Sequence, residues 1–149
     1  MAIIQEHVPG QSHAAANGDN AGMPFVRISL RQGKTAEYRA KIADGVHQAM
    51  VATINVPLLD RFQVITEHAA DGLIYDPTYL GINRTDDVVL IQITLNAGRT
   101  VEQKRALYKK IAELLAIAPG VRPEDVMVNL VEVGKEDWSF GNGIASYAT

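Results

Sequence analysis

Val26-Arg27-Ile28-Ser29-Leu30-Arg31-Gln32-Gly33-Lys34-Thr35 recurs 65 residues later as Ile91-Gln92-Ile93-Thr94-Leu95-Asn96-Ala97-Gly98-Arg99-Thr100. Each stretch opens with strict apolar alternation, the period of a strand with one buried face. Each then breaks at a glycine, a cation and a threonine. Glycine permits the sharp exit from the strand, and threonine is a natural first cap for a helix.

The register holds without a gap on both sides. Glu37, Val56, Asp60 and Glu67 fall on Glu102, Val121, Asp125 and Glu132, and Arg39/Lys104, Ile42/Leu107, Val46/Ile111 and Met50/Leu115 are conservative pairs. Each copy therefore reads as strand, helix, strand. A crossover through a helix makes the two strands of a copy parallel, with a right-handed connection. Where the copies differ is where a site is expected.

The first helix is expected from about Ala36 to Thr53, with Ile42, Val46, Ala49, Met50 and Thr53 on one face. The second runs from about Val101 to Ile117 with Leu107, Ile111, Leu114, Leu115 and Ala118 as its apolar stripe. Gln103 completes a capping box with Thr100. Phe62 to Glu67 and Val126 to Val133 are the second strands. Val89, Ile91, Ile93 and Leu95 form a helix-facing core, whereas Leu90, Gln92 and Thr94 are half polar, as expected of a sheet face covered by another subunit. His68 to Asp87 joins the copies; its Asp76-Pro77 and Gly81 indicate turns or a short hairpin.

The 149 residues suffice for one domain with a real core. Net charge −3 gives no electrostatic footprint for nucleic acid or an anionic membrane. There is no cysteine, which removes disulfides, thiol catalysis and thiolate metal sites, and the four histidines show no ligand spacing. No apolar run approaches the roughly 20 residues of a membrane span. Residues 1–22 are rich in Ala, Gly, Asn, Gln and His, without a basic start or apolar stretch. They read as a flexible extension or a start placed too early, and not as an export signal; a cytoplasmic protein is expected. The domain is then 23–149, with repeats at about 24–67 and 89–133 and a tail from 134. That tail is glycine-rich yet carries Trp138, Phe140 and Tyr147, side chains expected to dock.

Four residues could carry chemistry. Pro24 follows Met23 directly and opens the first strand. In an edge strand its missing N–H is harmless. If translation begins at Met23, removal of that Met leaves Pro24 with a free secondary amine, a group titrating at about 7.7–8.0 when unperturbed. Neutral, it is a general base; protonated, a general acid. Arg99 stands at the start of the second helix, where anions are favoured, and offers a bidentate fork for a carboxylate. Lys34 is its repeat mate. Asp60 precedes the second strand, and its recurrence as Asp125 fits a turn residue as well as a catalytic one. Glu67-His68 is discounted as an acid–base pair, because neighbours on a strand face opposite ways.

Pro24-Phe25-Val26, Asp60-Arg61-Phe62-Gln63, Arg84-Thr85-Asp86, Arg99 to Lys104 and Asp137-Trp138-Ser139-Phe140-Gly141 together resemble the tautomerase superfamily, and within it the malonate semialdehyde decarboxylase-like branch. The resemblance covers nearly everything from Pro24 on. It implies an α+β fold: tandem β-α-β repeats forming a mixed four-stranded sheet with two helices on one face. It also implies a homotrimer with sites near subunit boundaries, and no cofactor or metal. Pro24 would be the catalytic acid–base, Asp60 would orient or activate water, Arg99 would bind the substrate carboxylate, and Trp138 and Phe140 would wall the pocket. A second family arginine falls on Ala97. That departure favours keto–enol tautomerisation of a small 2-oxo or 2-hydroxy carboxylate. The alternatives are a decarboxylase or hydratase of a short 3-oxo or unsaturated acid, and a non-catalytic trimeric carboxylate-binding protein. With residues 1–22 attached, Pro24 is an amide and has no basic nitrogen.

Overall fold

The computed structural model describes residues 23–146. The expectations for the 1–22 extension and for Tyr147 lie outside them. β1 (Phe25–Arg31), α1 (Ala36–Ile54) and β2 (Gln63–His68) form the first unit; β3 (Val89–Asn96), α2 (Val101–Ile117) and β4 (Val126–Val133) form the second. The sheet order is β2-β1-β3-β4. β1 is parallel to β2 and β3 to β4, while β1 and β3 run antiparallel through the middle. Arg27 lies opposite Gln92, and these two are repeat equivalents. A local two-fold therefore passes between them, and each unit's strand ends beside the start of the other's.

Both helix starts are built as the sequence implies. Thr35 and Thr100 accept from the backbone N–H three residues on, and Gln103 returns the bond to Thr100. Gly33 and Gly98 turn out of their strands at φ +117° and +126°, values that L side chains rarely adopt. Gly45 serves a close approach: a Cβ there would lie 2.7 Å from Leu115 Cδ2, so α1 and α2 pack tightly at this point.

Val26, Ile28 and Leu30 from β1, with Val89, Ile91, Ile93 and Leu95 from β3, pack against Ile42, Val46 and Met50 of α1 and Leu107, Ile111 and Leu115 of α2. Burial of each large side chain contributes about 1.5–3 kcal/mol. Leu114 and Ala118, expected on the same stripe, are only half-buried. The opposite sheet face carries Phe25, Val64, Leu90, Gln92, Met127 and Val131, which no element of the chain covers among the described residues.

The segment between the repeats takes the loop form and contains no strand. Its backbone is drawn around one cation: Arg84 Nη1 donates to the carbonyls of Asp76, Tyr79 and Ile82. Carbonyls occupied in this way do not build a hairpin ladder.

Candidate active site

The N-terminus of β1 lies at the C-terminal end of β3, because the strands are antiparallel and Phe25 pairs with Thr94. Pro24 is buried there. Val26 N–H donates to Phe62 O at 3.0 Å, which brings the turn before β2 to the same edge. Asp60, at the end of that turn, accepts a hydrogen bond on Oδ2 from the backbone N–H of Met23, the residue before Pro24. Its Oδ1 is buried with no partner. Burial pushes the Asp60 carboxyl above its ordinary value, opposed by the Met23 N–H, His47 and Arg99.

Arg99 is 6% exposed. Its Nη1 donates to Asn96 O at 3.1 Å and its Nη2 to Ile54 O at 3.3 Å, while Nε is buried without a partner. Ile54 O is at the C-terminus of α1, where a cation is favoured. Arg99 thus joins the end of one helix to the start of the other. Burial lowers its guanidinium from the ordinary value, with Glu132 and Asp60 acting the other way. Ala97, where the resemblance calls for another arginine, is exposed.

The C-terminal tail closes over this corner. Trp138 Nε1 donates to Asn96 Oδ1 at 2.7 Å. The Trp138 ring stacks on Phe140 at 5.1 Å, and Phe140 meets Phe62 at 5.8 Å. The expected docking of Trp138 and Phe140 is therefore onto the chain itself. Pro24, Asp60, Arg99, Trp138 and Phe140, dispersed over more than a hundred residues, come together at one end of the sheet.

Two contributors were not singled out from sequence. Asn96 is 3% exposed and holds Arg99 through its carbonyl and Trp138 through its amide oxygen. It ends an apolar strand on the outward parity, so nothing in the periodicity marks it. Phe62 is flagged only by its place beside Asp60-Arg61.

The two-fold mate of this corner is different. A cleft of about 400 Å³ lies there, lined by Arg31, Lys34, Tyr38, His68, Asp86 and Asp87 among others. Lys34, equivalent to Arg99, is paired with Asp87 at 2.8 Å, and Arg31 with Asp86 at 3.0 Å. Both cations are neutralised from within the chain. Val89, a mid-chain residue, stands where the first repeat has Pro24. Asp125, the mate of Asp60, accepts from the Thr85 N–H and hydroxyl, both at 2.7 Å. Glu67 pairs with Arg39 at 2.8 Å, and His68 belongs to this far end, so neither reaches Pro24.

Family models described as "Tautomerase enzyme" match residues 24–83 and 60–141. The chain belongs to the tautomerase family. Its first match begins at Pro24. "Probable tautomerase YusQ" of Bacillus subtilis (strain 168) is 47% identical over 123 residues, 83% of this chain and 97% of that one. A malonate semialdehyde decarboxylase solved with 3-bromopropiolate as inhibitor is 40% identical with a TM-score of 0.78, covering 83% of this chain and 93% of its own. Another malonate semialdehyde decarboxylase is 35% identical with a TM-score of 0.78, covering 83% and 95%. It was solved as wild type, as a variant with its first residue, proline, changed to alanine, and inactivated, with reference to decarboxylase and hydratase activities. A fused 4-OT symmetric trimer is 27% identical with a TM-score of 0.68, covering 83% and 97%. The tautomerase domain is thus matched nearly end to end in these relatives. No helix among the described residues is long and apolar enough to cross a membrane.

Proposed function

We propose that this tautomerase interconverts the enol and keto forms of a small 2-oxo carboxylate, with Pro24 as its acid–base in a chain that begins at that residue. The observation that carries the reading is the bond from the Met23 N–H to Asp60 Oδ2, one residue from the proline nitrogen. The family match that starts at residue 24, and a relative whose first residue is proline, support it.

In ketonisation, neutral Pro24 takes the proton from the 2-hydroxyl of the enol, and its ammonium returns a proton to C3. Charge that develops on the oxygen is stabilised by the Arg99 guanidinium, which also holds the carboxylate. Arg99 is buried and works at short range without competing solvent. Asp60 positions substrate or water, and Trp138 and Phe140 exclude bulk solvent. No cofactor enters this scheme.

The test is ketonisation of phenylpyruvate enol or 2-hydroxymuconate by a chain expressed from Met23, with Met removal verified by intact mass. Pro24→Ala is expected to lose about 10²–10⁴ in kcat. Undiminished turnover in that variant overturns the assignment, and carboxylate binding without turnover in the wild type points to a binding protein.

A second reading is favoured by the 40% identity to a malonate semialdehyde decarboxylase: decarboxylation or hydration of a short 3-oxo or unsaturated acid. This depends on Asp60 as the group that activates water. Asp60→Asn then abolishes decarboxylation and lowers ketonisation only about tenfold.

The uncovered sheet face supports a homotrimer, as in the fused 4-OT relative. Light scattering on the purified chain checks this, and a monomer at micromolar concentration refutes it.

A further inference from the structure

His47 occupies the apolar face of α1 and is 1% exposed. A polar residue there needs a reason, since an aliphatic one would fill the same stripe without burying nitrogen atoms. Its Nε2 lies 2.7 Å from Leu58 O. A carbonyl only accepts, so the ring proton sits on Nε2 and is donated to Leu58. Nδ1 is buried with no partner. The ring is committed to one bond, and that bond reaches the turn two residues before Asp60. Within the turn, Asp60 N–H donates to Pro57 O at 3.0 Å.

The second repeat shows what happens without this histidine. Ala112 stands at the equivalent position, and among the described residues no imidazole reaches the turn before β4. There Asp125 spends both carboxylate oxygens on Thr85 and becomes 1% exposed. In the first repeat Asp60 keeps Oδ1 free. Both turns share one backbone bond, Asp60 N–H to Pro57 O and Asp125 N–H to Arg122 O. Beyond it, the second turn is tied to Thr85 and Arg122 through the Asp125 carboxylate, and the first to the helix beneath it through His47.

We propose that His47 is a positioning residue for Asp60: through Leu58 it holds the Pro57–Asp60 turn so that the Asp60 carboxylate stays available beside Pro24. This rests on the role proposed above for Asp60. It accounts for a buried imidazole that takes no part in the proposed proton transfer.

The experiment is steady-state ketonisation by the Pro24-initiated chain in a double-mutant cycle. His47→Leu keeps the packing volume and removes the donor. It is expected to lower kcat about fivefold with KM changed less than about twofold. His47→Gln, whose amide can donate to Leu58 O, restores kcat to within about twofold. In an Asp60→Asn background, where kcat is already about tenfold down, His47→Leu has less than about a twofold further effect. An equal loss in both backgrounds, or no loss in either, overturns the positioning role. If Asp60→Asn alone leaves kcat unchanged, the proposed role of Asp60 fails and the His47 assignment fails with it; if Asp60→Asn is damaging and His47→Leu is not, only the His47 assignment fails. Nitrogen NMR of the imidazole gives an independent reading. A proton on Nε2 is expected, and an Nε2 that carries none excludes the bond to Leu58.

Discussion

Asp60 and Asp125 stand at the same point of the two repeats and are spent differently. Asp125 gives both oxygens to Thr85, whereas Asp60 gives one to the Met23 N–H and leaves the other unpaired. A duplicated residue has become a fastener in one copy and an available carboxylate in the other.

Asp125→Ala is therefore a stability mutation. It removes the acceptor of the Thr85 N–H and hydroxyl, in part-buried bonds, and the ion-pair partner of Arg122, a loss of about 1–2 kcal/mol. Denaturant unfolding should show a lower midpoint, with kcat of the folded fraction unchanged. A midpoint equal to that of wild type would mean that water replaces the carboxylate at no cost.

Asp60→Asn should do the reverse at neutral pH. Burial raises the Asp60 carboxyl in the folded chain, so the folded state holds its proton more tightly than the unfolded state. Stability then falls as pH rises from about 3.9, the free carboxylate value, through the raised folded value. Asn carries no charge to desolvate. The variant is expected to melt higher than wild type at pH 7, and the gap to close below about pH 4. A gap that widens on acidification contradicts this.

Ala97→Arg tests how much the missing guanidinium decides. Ala97 is exposed, and the arginine needs no new space in the core. One added charge-assisted bond to a substrate carboxylate, about 1.5–3 kcal/mol, should raise kcat/KM for decarboxylation of a 3-oxo acid at least about tenfold relative to ketonisation. An unchanged ratio would place specificity elsewhere.

Trp138→Phe keeps most of the stacking on Phe140 and removes the indole N–H that donates to Asn96 Oδ1. The tail from Gly134 should loosen, by about 1 kcal/mol for the lost hydrogen bond. Limited proteolysis would read this as faster cleavage after Lys135, while global unfolding moves less. Equal protection in both proteins would show that the ring stack alone holds the tail.

The 65-residue repeat, the alternation of β1 and β3 and the Gly-cation-Thr turns determined both helices and all four strands to within a residue or two. They are signals of local period and local capping, which neighbours in sequence carry by themselves. As a sequence feature His47 is only a histidine without ligand spacing; its place on the apolar face of α1, where the second repeat has Ala112, came from the structure. What the tertiary structure decided is how the copies are used. The antiparallel β1–β3 pairing that sets Arg27 opposite Gln92 brings Pro24 to the end of β3, where Asn96 and Arg99 lie. The bonds from Thr85 to Asp125, from Trp138 to Asn96 and from His47 to Leu58 span 40, 42 and 11 residues. Such partners depend on which ends of the sheet coincide, and no period along the chain records that.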